Sequence, residues 1–123
     1  MGTILSVGIG GAAGAILRWI VAQIISGLSI PVFWATLIVN VVGCFAIGFL
    51  IVLFEARWPS EEMARVGIIV GLLGGFTTYS AFSMDAMSML AAGLYGRAVI
   101  YILSTLILCI LGTWAGLILG RSA

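Results

Sequence analysis

The residues able to do chemistry in this chain are few, and nearly all lie in apolar surroundings. They are Arg18, Asn40, the run Thr77, Thr78, Tyr79 and Ser80 with Ser83 and Asp85 behind it, and then Tyr101, Ser104, Thr105 and Thr113. Neutral amide and hydroxyl groups of this kind either bond a neighbouring helix or line the path of a permeating species. The chain has no histidine and a net charge of only +1, which excludes a histidine-based metal site and a basic nucleic-acid footprint. No nucleophile with its base, no acid pair and no ligand set falls within the apolar runs, so an enzyme is not expected.

A charge at membrane depth costs several kcal/mol unless it faces protein or water. Arg18 and Asp85 must therefore point inward or into a vestibule. For Arg18 two readings stand, an anchor that binds carbonyls and a direct ion contact. Asn40, in Val39-Asn40-Val41-Val42-Gly43, either bonds a neighbouring helix or donates to a permeating species, because an unpaired amide there is expensive.

The stretch from Gly71 to Ser83 pairs Gly74 and Gly75 ahead of Thr77, Thr78, Tyr79 and Ser80. Glycines followed by hydroxyl residues make a poor uninterrupted helix, and a break at mid-membrane is expected. Irregular backbone there must face protein or water, and such breaks supply ion ligands. A kink filled by hydroxyls bonding back to the helix is the other reading. Tyr79 and Phe82 share a helix face just past the break. Arg97, Tyr101, Thr105, Cys109 and Thr113 recur every fourth residue, a stripe that reads as a hydrophilic track or as a run of interhelical hydrogen bonds.

The elements that must position these groups follow from composition. Of 123 residues 63% are apolar and 7% charged, against about a quarter charged in a soluble chain. Apolar runs at about 3–27, 32–54, 66–92 and 97–120 are each long enough to cross a hydrocarbon core of about 30 Å. The expected fold is an all-α integral membrane protein, one four-helix transmembrane domain over residues 1–123. Pro31 opens the second span, and a connection of a few residues makes the first two spans antiparallel neighbours. Ser60, with Glu62 and Met63 behind it, reads as a helix N-cap. Gly93 to Arg97 supplies the last turn, and Cys44 and Cys109 read as buried free thiols.

Glycines recur at four-residue spacing as Gly10 and Gly14, as Gly67, Gly71 and Gly75, and as Gly112, Gly116 and Gly120. Faces without side chains let two backbones approach closely in lipid, which predicts a tight bundle with helix contacts between chains. Arg57, Arg65 and Arg121 fall on one side of the membrane, and Arg97, with Arg18 if it leans out, on the other. So feeble an asymmetry predicts insertion in both orientations and an antiparallel pair of copies; a single, weakly determined topology is the alternative.

The stretches Gly10-Gly11-Ala12-Ala13-Gly14-Ala15-Ile16-Leu17-Arg18-Trp19, Thr36-Leu37-Ile38-Val39-Asn40-Val41-Val42-Gly43 and Gly74-Gly75-Phe76-Thr77-Thr78-Tyr79-Ser80-Ala81-Phe82-Ser83 resemble three signatures of the Fluc (CrcB) fluoride channels of bacteria. The resemblance runs span for span along the chain. It implies an antiparallel, dual-topology homodimer in the bacterial inner membrane, passive and fluoride-selective, with two pores lined by both chains. It further implies Asn40, Tyr79 and Phe82 in the pore, with Ser80 and Thr105 beside them, and Arg18 at a vestibule. A structural Na+ at the dimer centre, held by the backbone carbonyls of Gly74 and Thr77, is also implied. Tyr79 stands where the family has phenylalanine and Ala81 where it has threonine.

Fluoride is small and strongly hydrated, so a path for it must replace water with donors weak enough to release the ion. Amide, hydroxyls and ring edges meet that need. The rivals are a small multidrug-resistance antiporter, which requires an acid deep in the first span, and a structural or assembly subunit without substrate, which leaves Asn40 and the broken third span unexplained.

Overall fold

In hydrocarbon a chain must satisfy its backbone groups within each crossing segment, and every apolar run accordingly folds as helix. The computed structural model describes residues 1–123 and has four helices long and apolar enough to span a membrane. The first is α1 (Gly2–Gly27) and the second α2 (Phe33–Arg57). The third crossing is composite: α3 (Glu62–Val66), a π-helix over Gly67–Leu73, the short α4 (Gly74–Phe76) and α5 (Tyr79–Ala91). The last is α6 (Tyr95–Ser122).

Two helix ends close in the same way. After α5, Gly93 turns left-handed at φ 74°, the Leu94 N–H bonds the Met89 carbonyl at 2.9 Å and the Gly93 N–H bonds Leu90 at 3.0 Å. After α1, Ser29 takes the left-handed place at φ 58°, with Ile30 bonded to Ile25 at 3.2 Å and Ser29 to Ser26 at 3.0 Å. Both are Schellman caps, which satisfy the terminal carbonyls that lipid cannot. At the start of the third crossing the expected cap at Ser60 is not made. Glu61 occupies the N-cap position without a side-chain hydrogen bond, and α3 begins at Glu62, ahead of the apolar run.

The glycines act as their spacing predicts, with a different partner. A Cβ on Gly10 would strike the Gly67 carbonyl, one on Gly14 the Leu72 carbonyl, and one on Gly75 the Gly11 carbonyl. A Cβ on Gly116 would strike the Phe45 carbonyl and one on Gly48 the Thr113 carbonyl. Two seams result, α1 against the first half of the third crossing and α2 against α6. In each, residue numbers rise together, so the paired helices run parallel. All three glycine stripes are consumed within one chain rather than between chains. The antiparallel neighbours α1 and α2 share the less intimate contact. A small apolar core, Leu37, Ala86, Met89, Ala98 and Tyr101, ties α2, α5 and α6 together.

Candidate functional site

The third helix breaks at Thr77 and Thr78, both in extended conformation (ψ 157° and 117°). The paired glycines do not make the break, since Gly74 and Gly75 are still helical. A side chain from another helix does. Asn40, on α2, donates from Nδ2 to the Thr78 carbonyl at 2.9 Å, and its Oδ1 accepts from the Thr78 N–H at 2.7 Å. One amide thus pairs with one whole peptide residue, and both partners are buried.

The consequence reaches the carbonyls ahead of the break. In an unbroken helix the Thr78 N–H would bond the Gly74 carbonyl four residues back, and here Asn40 takes it. The Ala81 N–H would likewise bond Thr77, but it goes to Thr78 Oγ1 at 3.2 Å, the N-cap of α5. Both Gly74 and Thr77 carbonyls are released from the ladder. The Thr77 hydroxyl bonds back to Leu73 at 2.9 Å, so kink-filling by a hydroxyl coexists with a true break.

Beside the break lies a cavity of about 460 Å³ lined by Asn40, Cys44, Thr77, Thr78, Tyr79, Phe82, Ile102, Thr105, Leu106 and Cys109. No charged side chain lines it. Asn40 spends one of its two N–H bonds on Thr78 and keeps the other. Thr105 is 6% exposed, and its hydroxyl has no hydrogen-bond partner in the protein, an exception to the rule that buried polar atoms are paired. The Tyr79 and Phe82 rings stand 5.5 Å apart, tilted by 56°.

Of the residues the sequence singled out, Asn40, Thr77, Tyr79, Phe82 and Thr105 meet at this cavity. Ser80 does not line it; it is exposed, its hydroxyl 3.2 Å from that of Thr78. Gly74 is exposed on the outer face of the break. Arg18 lines a separate cavity of about 280 Å³ with Thr36, Val39, Thr78 and Ala81. The polar stripe of α6 divides. Thr105 and Cys109 face the main cavity, Arg97 and Tyr101 line another of about 330 Å³, and Thr113 bonds back to Cys109 at 3.1 Å. Tyr101 donates to Asp85 at 3.1 Å, so the intramembrane acid is held by a hydroxyl. Cys44 is a cavity residue that the sequence reading missed; its place four residues after Asn40, on the same face of α2, was the signal.

A family model described as "CrcB-like protein, Camphor Resistance (CrcB)" matches residues 5–117. The chain is 43% identical over 114 residues to the "Fluoride-specific ion channel FluC" of Agrobacterium fabrum, covering 92% of this chain and 91% of that one. It is 42% identical over 123 residues to the protein of that name from Rhizobium meliloti, covering 99% and 98%. To the one from Geobacter sulfurreducens it is 38% identical over 125 residues, covering 98% of each.

Proposed function

The chain belongs to the CrcB family, and from that membership we propose that it is a passive, fluoride-selective channel, a multi-pass protein of the bacterial cell membrane. The observation that carries the reading is the chargeless cavity beside the break, where donors stand without partners. The free N–H of Asn40 and the Thr105 hydroxyl supply hydrogen bonds that replace part of fluoride's hydration shell, and the edges of the Tyr79 and Phe82 rings offer hydrogens of partial positive charge. With no cation in the path, the ion is held weakly enough to leave. Arg18, in its own cavity, acts on the approach rather than on the bound ion.

The antiporter reading lacks its acid, because α1 carries none. The assembly-subunit reading leaves the broken third helix without purpose.

Two copies, antiparallel, complete the path. Tyr79 lines the cavity yet is 81% exposed on one chain, and the Gly74 face of the break has nothing within 4 Å of the position a Cβ would take. Carbonyls released from a helix at membrane depth need a partner, since lipid offers none. The same carbonyls fit a Na+ shared between copies. Uncharged oxygens suit a hard cation, and Gly74 and Thr77 of both chains would supply them, giving the dimer a fixed centre. Arginines too evenly divided to fix one orientation support the antiparallel arrangement.

Liposomes containing only this protein, loaded with fluoride or with chloride, test the function. Fluoride is expected to leave and chloride to stay. Equal release of both, or of neither, contradicts the proposal.

A further inference from the structure

We propose that Cys44 and Cys109 form a two-thiol site for a soft divalent cation, of which Hg2+ is the type, and that filling it closes the cavity to fluoride. The closing effect rests on the channel reading; the site does not.

The two residues come from different helices, Cys44 from α2 and Cys109 from α6, and both line the same cavity of about 460 Å³. Both thiols are free and half-buried, and each stands one helical turn beyond a polar residue of the same cavity wall, Cys44 after Asn40 and Cys109 after Thr105. The backbones cannot separate at this level. A Cβ on Gly112 would lie 3.9 Å from that of Cys44 and 3.3 Å from the Val41 carbonyl, so the seam between α2 and α6 holds the pair together.

Ligand chemistry sets the class of ion. Thiolates select soft metals, while hard cations go to carboxylate and carbonyl oxygens, and no carboxylate lines this cavity. Charge then sets the valence. Both thiols give up their protons to water, both sulfurs bond to one Hg2+, and no electron is transferred. The product is neutral, whereas a monovalent soft ion between two thiolates would leave a net negative charge in a poorly solvated wall. Mercuric chloride, itself neutral, reaches such a wall and leaves two chloride ions and two protons in solution. The bound metal ties α2 to α6 one helical turn from Thr105, whose unpaired hydroxyl marks the fluoride path.

Titration of the intact protein in detergent with mercuric chloride, followed by thiolate-to-metal charge-transfer absorbance and native mass, reads the site. One Hg2+ per chain is expected. Cys44→Ser and Cys109→Ser should each weaken binding roughly 100-fold, because the second thiolate acts at high effective concentration, and the double variant should bind none. An end point of two Hg2+ per chain, or single variants as tight as the wild type, overturns the site. If a serine variant fails to fold, the wild type still decides: one equivalent of Hg2+ must protect both thiols from N-ethylmaleimide, and protection of one alone overturns the pair. In liposomes, with each protein scaled to its own untreated rate, Hg2+ should stop fluoride efflux through the wild type, and a dithiol chelator should restore it. One-to-one binding without block overturns the closing effect. A wild type that passes no fluoride before Hg2+ is added fails the channel reading, and the titration still decides the site.

Discussion

At Gly10, Gly14 and Gly75 the backbones of α1 and the first half of the third crossing touch with no side chain between them, whereas at the break the third crossing meets α2 through the amide of Asn40. Both are ways to hold helices together in a solvent that provides no hydrophobic drive between them, close packing in one case and hydrogen bonding in the other. They leave different remainders. The glycine contacts set backbone against backbone and hold the helices in position. The hydrogen-bonded junction interrupts a helix, releases carbonyls from its ladder, leaves an amide N–H unspent and opens a cavity beside it. Rigidity and chemistry are thus assigned to adjoining parts of one crossing, and the first holds the second in place.

The sharpest way to break the comparison is to put a side chain into the seam. Gly14→Leu would drive its Cβ into the Leu72 carbonyl and within 2.7 Å of the Phe76 nitrogen. Backbone cannot move aside as a flexible side chain can, so a loss of about 3 kcal/mol or more is expected, read as a collapse of the folded fraction in detergent unfolding. Asn40→Leu attacks the junction instead. It leaves the Thr78 N–H and carbonyl without their partner, at about 1–3 kcal/mol for each group that water from the cavity does not reach. Fluoride flux should fall with it by at least about tenfold, since a donor to the anion is lost as well.

Thr105→Val separates the two regions by sign. Removing a buried hydroxyl that has no partner in the protein should leave thermal stability equal or slightly higher. Flux should nevertheless drop roughly tenfold, because a hydrogen bond to a charged group is worth about 1.5–3 kcal/mol. Unchanged flux in a folded Thr105→Val protein would remove that hydroxyl from the path. The smallest effect belongs to Gly8→Ala. Gly8 sits on α1 two residues ahead of Gly10 and off the stripe, with nothing within 4 Å of its missing Cβ. Helix propensity alone then predicts a gain of up to about 1 kcal/mol, measured in the same unfolding assay.

The four crossings were legible because lipid enforces length and apolarity, and their ends fall close to the limits read from the sequence. The stripes of Gly10, Gly67 and Gly112 announced close approach, but periodicity identifies a face and not the helix that meets it. The contacts proved to lie within one chain. The break was legible in kind and in place, just ahead of Tyr79, but its cause was not. Its position is set by Asn40, 38 residues away, and not by Gly74 and Gly75, which stay helical, Gly75 packed against Gly11 of α1. Cys44 shares the Asn40 face of α2 by its i+4 spacing, but that Cys109 stands across the same cavity needed α2 to be seen beside α6. Ser80, which belongs to the hydroxyl run in the sequence, turns to the outer face because a helix restarts at Tyr79 and rotates it away. The π-helical turn at Gly67–Leu73 has no signature in the sequence that distinguishes it from α-helix.

The most direct test of the central claim, a passive anion path made of neutral donors, is the reversal potential of a planar bilayer containing only this protein, with unequal fluoride on the two sides, chloride making up the difference, and equal cation and pH. A chargeless path selective for fluoride predicts a current that reverses at a potential set by fluoride alone and that shifts with each change of its concentration. A reversal potential that follows chloride, or that moves when only the pH gradient is changed, would contradict it.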